Sequence, residues 1–238
     1  MPPPITALWL GRIDYGEAHA LQQRLVAERA AERIGDQLLL LEHPAVLTLG
    51  RHADVAHVLA SPDELRARGV EVIRVERGGE VTYHGPGQLV AYPIVALAPR
   101  GLMIRPFVRA LEAALVATCA AHDVVAERRD GHPGCWCGSG SPAPRKIGAL
   151  GLRIERGVTY HGIALNVSVD LSGFDLIDPC GMPGLVSTSI EAERGERGAS
   201  SSAASPGAAS PGAASVERAG VIFARAFADA IGAPLEGI

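Results

Sequence analysis

The sequence predicts an α/β fold, and three observations lead there. Apolar runs of strand length recur at 5–12, 38–41, 46–49, 70–75 and 89–95. Amphipathic stretches with helical spacing lie between and after them, at 15–33, 106–122 and 216–231. The 238-residue chain is 47% hydrophobic and 20% charged, a globular composition large enough to bury a real core.

In chain order, residues 5–12 read as a first strand. Asp14 and Glu17 stand at capping-box spacing ahead of Ala18, Leu21, Leu25 and Ala30, so a helix is expected over 15–33, ending at Gly35. Leu38–Leu41 and Val46–Leu49 read as buried strands separated by Glu42-His43-Pro44. Ser61-Pro62-Asp63-Glu64 supplies a cap, a first-turn proline and an acidic third position, predicting a short helix that stops at Gly69. A strand follows at 70–75. Residues 77–88, RGGEVTYHGPGQ, are too rich in glycine for a helix and read as a loop or distorted hairpin, with His84 exposed if it is only a tight turn. Gly78 and Gly79 would let backbone approach a ligand closely.

The stretch 106–122 is the strongest helix, with Cys119 on its apolar face. Residues 128–145 read as a long loop. It carries His132, Cys135 and Cys137, but C-x-C is not a usual zinc spacing, so no metal is assigned. Residues 146–154 and 158–169 read as strands joined by the turn 155–157, with Gly162 suggesting close approach of another backbone or ligand. Residues 170–190 read as loop with a short strand. At 194–215 the composition changes to Ala, Ser, Pro and Gly, with AASPG twice in tandem, the signature of a flexible low-complexity insert. Residues 216–231 close the chain as a helix offering Val221, Ile222, Ala224, Phe227 and Ile231 for docking. The expected organisation is therefore a domain over 1–193, an insert at 194–215, and a C-terminal segment 216–238 packed back on the same domain.

The formal charge of -4, with no basic stripe, argues against nucleic-acid binding. No apolar run reaches membrane-span length, and the N-terminus lacks the pattern of a signal peptide. A cytoplasmic protein with reduced cysteines is expected. Neither a Walker A pattern nor GxGxxG occurs, so no nucleotide cofactor is implied.

Two residues stand apart. Lys146 is the only lysine among 22 Lys and Arg residues. A lysine, unlike an arginine, can give up its proton when desolvated and act as a base. Cys180 sits between Pro179 and Gly181. A thiol beside a group that can take its proton is a nucleophile. The residues alone leave two readings for this pair: thiol-dependent acyl transfer, or a cysteine in a turn with no catalytic role.

The segments RGGEVTYHGPGQLVAYPI, KIGALGLRI, TYHGIALNV and PCG, with the earlier EHPAVLTLGR and the later GLVSTSIEAE, resemble the lipoate-protein octanoyltransferase family, from about Tyr15 to Glu193. The resemblance implies a mixed α/β domain with a sheet flanked by helices, similar to the biotin and lipoate ligases. It implies transfer of an octanoyl group from acyl carrier protein to a lysine of lipoyl domains, those of 2-oxoacid dehydrogenase complexes and the glycine cleavage H protein. Cys180 would carry the acyl group. Lys146 would ease ionisation of the thiol and handle protons. The acyl-binding segments would be Arg77, Gly78, Gly79, Glu80, Val81, Thr82, Tyr83 and His84, then Ala149, Leu150 and Gly151, then Gly162, Ile163 and Ala164. Val81, Leu150, Ile163 and Leu165 would wall the acyl tunnel, and a side chain at position 162 would crowd it. No cofactor is implied. The cysteine-bearing loop before Lys146 and the insert depart from the family pattern. Two other readings compete: an ATP-dependent ligase of the same fold, with no use for the thiol, and a non-catalytic binder of acyl chains.

Overall fold

The computed structural model describes residues 2–200 and 215–238. The segment of the insert at 201–214 therefore lies outside the described residues. In chain order the elements are β1 (Ile5–Arg12), α1 (Tyr15–Ala30), β2 (Asp36–Glu42), β3 (Val46–Leu49), α2 (Pro62–Ala67), β4 (Glu71–Arg74), β5 (Val81–His84), β6 (Gln88–Ile94), α3 (Ile104–Ala120), β7 (Glu127–Arg129), β8 (His132–Cys137), β9 (Arg145–Glu155), β10 (Val158–Asn166), β11 (Val186–Ser187), α4 (Ile190–Ser200), α5 (Val216–Ala230) and β12 (Leu235–Glu236). The fold is mixed α/β. One sheet runs β12-β1-β2-β6-β10-β9-β8-β7, with β11 pairing to β9, and a second sheet runs β4-β3-β5. β1 pairs parallel with β2, and the strands from β2 through β7 pair antiparallel.

The helix starts follow the expected chemistry. Asp14 accepts from the backbone of Gly16 and Glu17, and Ser61 accepts from Glu64, satisfying amides that a helix N-terminus leaves without partners. On one face of the large sheet, α3 and α5 cover the main core, with the Phe107 and Phe227 rings edge to face at 5.6 Å. Ala18 and Val26 of α1 cover the other face, on Leu39, Leu41, Val90, Tyr92 and Ile94. A second core, containing Leu47, Leu49, Val81, Tyr83 and Leu176, fills the space behind the small sheet. Among the described residues no helix is long and apolar enough to cross a membrane.

Four expectations need correction. Residues 81–84 form strand β5, paired antiparallel with β3, and His84 is buried rather than exposed. Half of the stretch read as a loop at 128–145 is strand: β8 pairs with β9, burying Cys135 and Cys137 in the main core. Its glycine and proline content imitates a loop, yet Cys135-Trp136-Cys137 is apolar on both faces and satisfies its backbone through a distant partner. Helix α4 continues to Ser200, into the segment read as linker. Helix α5 buries Val216, Ala219, Gly220, Phe223, Ala224, Phe227 and Ala228, so Val221 and Ile222, expected in the docking face, lie at its half-buried edge.

Candidate active site

The large sheet and the loops of the small sheet meet at β9 and β10. The antiparallel register sets Ala149 opposite Ala164 and Gly151 opposite Gly162, putting four small residues side by side. Small side chains there leave a hollow. The Gly78 amide donates to the Leu152 carbonyl at 3.0 Å and docks the 77–80 loop on β9. A Cβ on Gly151 would stand 2.8 Å from the Gly78 carbonyl oxygen, so this close approach requires glycine. The result is a cavity of about 340 Å³.

Lys146 enters the cavity from β9. It is buried (9% exposed), and its Nζ lies 5.0 Å from the centre of the Trp136 ring on β8. Cys180 reaches it from a turn whose backbone is pinned on both sides. Upstream, the Asp178 amide donates to the His57 carbonyl at 2.8 Å. Downstream, β11 pairs parallel with the start of β9, and the Thr188 amide donates to the Lys146 carbonyl at 2.9 Å. The neighbouring Arg145 makes a two-pronged ion pair with Glu193 of α4, at 2.8 and 2.9 Å. Between these anchors Cys180 is half-buried and held in the left-handed region, φ 61° and ψ 21°. A non-glycine residue adopts that conformation only where its surroundings impose it. Lys146 Nζ donates to Cys180 Sγ across 3.1 Å.

Of the acyl-binding residues expected from the sequence, Arg77, Gly78, Gly79, Glu80, Val81, Thr82, His84, Ala149, Leu150, Gly151, Gly162, Ile163 and Ala164 line this cavity with Lys146 and Cys180. Tyr83 does not. Its ring packs on Phe174 in the second core, centroids 5.5 Å apart, because strand alternation turns it away from Thr82 and His84. Leu165, expected in the tunnel wall, lies in the main core under α3 and α5. A Cβ on Gly162 would overlap the Ala91 carbonyl of β6, so that glycine is required by strand packing, and a larger residue there would wedge β6 from β10.

The lining is partly apolar and partly polar. The Arg77 guanidinium braces the loop by donating to the Thr48 carbonyl at 2.6 Å, the Thr48 hydroxyl at 2.9 Å and the Gly78 carbonyl at 3.0 Å. Burial lowers the proton affinity of Arg77, while the neighbouring Tyr15 and Cys180 oppose the shift. His84 contacts Gln88 at 2.7 Å, and burial, reinforced by His43 nearby, lowers its pKa to about 3. His43 shares a 2.7 Å hydrogen bond with the Tyr92 hydroxyl, and burial lowers its pKa to about 4. Tyr15 is pushed up to about 12 by burial. Glu80 accepts from His57 Nδ1 at 3.3 Å and from the Asp54 amide at 3.2 Å, beside the Cys180 turn. Tyr15, Tyr92, Pro133, Leu152 and His161 also line the cavity and were not singled out as site residues from the sequence. His161 and Tyr92 lie inside the motif segments, so those segments held the signal. Tyr15 and Pro133 come from elements that only the tertiary fold brings near.

Cys135 and Cys137 face the core, and contact with Cys135 together with burial holds the Cys119 thiol protonated. That leaves Cys180 as the thiol that opens on the cavity.

A lysine in contact with a thiol thus faces a partly apolar cavity on a mixed α/β sheet. The sequence pattern of the lipoyl protein ligase A/B catalytic domain matches residues 14–198. The chain is 49% identical to an octanoyltransferase of Chloroflexus aurantiacus, covering 84% of this chain and 89% of that one. It is 50% identical to an octanoyltransferase of Acidobacterium capsulatum, over 79% and 80% of the two chains. The fold is similar to the bipartite lipoate protein ligase of Thermoplasma acidophilum, with TM-score 0.64, 15% identity, and 100% and 87% of the chains covered. It is also similar to a lipoate-protein ligase A solved with ATP, with TM-score 0.59, 15% identity, and 100% and 89% covered. The chain belongs to the lipoyl protein ligase A/B catalytic-domain family, within its octanoyltransferase branch. It is an acyltransferase.

Proposed function

We propose that this enzyme moves an octanoyl group from acyl carrier protein to a lysine of lipoyl domains, through a thioester on Cys180. In the first step Lys146, unprotonated, takes the Cys180 proton. The sulfur attacks the donor thioester carbonyl, and the carrier C–S bond breaks. The Lys146 proton then goes to the departing carrier thiolate. In the second step Lys146 takes a proton from the incoming lysine amine, whose nitrogen attacks the Cys180 thioester. An amide forms, and the Cys180 thiolate leaves and recovers that proton. One group thus serves as base and acid in both halves, and atoms balance with no nucleotide.

The observation that carries this reading is the 3.1 Å contact of Lys146 Nζ with Cys180 Sγ, within the reach that proton transfer requires. The apolar cavity beside it suits an acyl chain. At about 0.8 kcal/mol per buried methylene, four methylenes are worth about 3 kcal/mol, enough to tell octanoyl from butanoyl. An ATP-dependent ligase of the same fold would make no use of this thiol. The separating experiment measures transfer from octanoyl carrier protein to a lipoyl domain with and without ATP. Transfer without ATP that is abolished in Cys180→Ser supports the thioester route. Transfer that requires ATP and survives the substitution overturns it.

A further inference from the structure

Behind the cavity wall, three side chains from separate parts of the chain converge: His19 on α1, Glu76 after β4, and His161 on β10. One ring nitrogen from each histidine and one carboxylate oxygen lie within 4.8 Å of one another. His19 Nε2 donates to Glu76 Oε1 at 3.0 Å, and the His19 and His161 rings stack at 5.6 Å. The Tyr160 hydroxyl donates to the same carboxylate oxygen at 2.9 Å.

Two features are not explained by an ion pair. His161 is 1% exposed, and its Nε2 is buried without a hydrogen-bond partner among the described residues. A buried polar atom left unmatched is destabilising and calls for a reason. His161 is also held at φ 53°, a conformation rarely taken by a residue with a side chain, with its amide donating to Gln22 Oε1 at 2.7 Å. The fold thus spends backbone strain to keep this imidazole facing His19 and Glu76.

We propose that His19, Glu76 and His161 form a three-ligand site for a divalent transition-metal cation of the zinc class, set in the wall of the acyl cavity. Two imidazoles and one carboxylate suit Zn²⁺, Co²⁺ or Ni²⁺, whereas magnesium and calcium favour all-oxygen shells. Ligands about 2.1 Å from a tetrahedral ion stand about 3.4 Å apart, so closing the group needs only a small inward turn of the outer two. Those two are the accessible ones: the His19 and Glu76 side chains are 23% and 34% exposed, giving a cation a route in from solvent. Tyr160 then orients the carboxylate from outside, the usual task of a ligand's hydrogen-bond partner. The site shares none of its three ligands with the Lys146–Cys180 pair, and the acyl-transfer steps proposed above do not use it.

The test is a Co²⁺ titration of the full chain, read by d–d absorption and by equilibrium dialysis. The expected result is saturable binding of one equivalent, with a dissociation constant below about 10 µM and no thiolate-to-cobalt charge-transfer band. Binding should weaken at least about tenfold in His19→Ala and in Glu76→Gln, and be retained in Cys180→Ser. Circular dichroism without metal checks that each variant is folded, and the partly exposed Glu76 supplies the readout should His19→Ala fail to fold. Unchanged affinity in the folded ligand variants, binding lost with Cys180, or no saturable binding would each overturn the assignment.

Discussion

Replacing Lys146 by arginine separates a proton carrier from a fixed cation. Lys146 Nζ lies 3.1 Å from Cys180 Sγ and 5.0 Å from the centre of the Trp136 ring. A guanidinium can occupy the same ground over the indole and keep the positive charge. It cannot give up a proton in a protein, so it fails wherever the mechanism needs a base or an acid. A positioned acid–base group contributes about 100- to 10,000-fold in rate, or about 3–5 kcal/mol of barrier. Turnover of Lys146→Arg should therefore fall by about that factor. The assay is octanoyl transfer to a lipoyl domain, with Lys146→Met as the variant lacking both charge and proton. Space at the site is limited: a Cβ on Gly134 would stand 3.1 Å from Lys146 Cε, so the larger head must be shown not to distort the fold. Matched thermal unfolding of the two variants supplies that control. An arginine enzyme within about tenfold of wild type, beside a dead methionine enzyme, would refute the shuttle and leave Lys146 as a cation only.

Three further outcomes follow from the geometry. Ala149→Leu should fill the hollow opposite Ala164 and lower kcat/KM for octanoyl far more than for butanoyl donors, removing a preference worth up to about 3 kcal/mol; equal losses would point to misfolding. Phe227→Ala removes a fully buried ring from between Phe107 and Phe223 and should cost about 3–5 kcal/mol in urea unfolding, whereas a loss under about 1 kcal/mol would show that α5 does not carry the core. His43 and His84 are depressed to about 4 and about 3 in the fold, so the unfolded chain binds protons that the folded chain refuses. Stability should be level above about pH 6.5 and fall as pH drops toward 4, by up to about 1.4 kcal/mol per pH unit for each histidine. A His84→Gln variant with an undiminished slope in denaturant midpoints would contradict that assignment.

Much of the fold was legible because its signals are local. The caps at Asp14 and Ser61, the apolar run at 38–41 and the periodic face of 106–122 each state their structure within a few residues. What was illegible depends on distant partners. Cys135-Trp136-Cys137 becomes a strand only because β9 offers its edge, and a stretch of glycine and proline gives no hint of that. Val81–His84 likewise becomes a strand by pairing with Val46–Leu49. At the site, a lone lysine among arginines marks Lys146 in the sequence itself, but its nearness to Cys180 depends on β11 docking on β9. A glycine at 162 signals close approach of another backbone or a ligand, and the backbone alternative holds: the demand for glycine comes from the Ala91 carbonyl of the adjacent strand. Periodicity could not have found His19 and Glu76 beside His161, since the three share no local pattern.

Intact-mass analysis after incubation with octanoyl carrier protein, before any acceptor is added, tests the central claim most directly. The wild-type chain should gain the mass of one octanoyl group, mapping to the peptide that contains Cys180, and lose it when a lipoyl domain is supplied. Cys180→Ala should gain nothing and transfer nothing. An adduct that persists in Cys180→Ala, or full transfer by that variant, would contradict a thioester on Cys180.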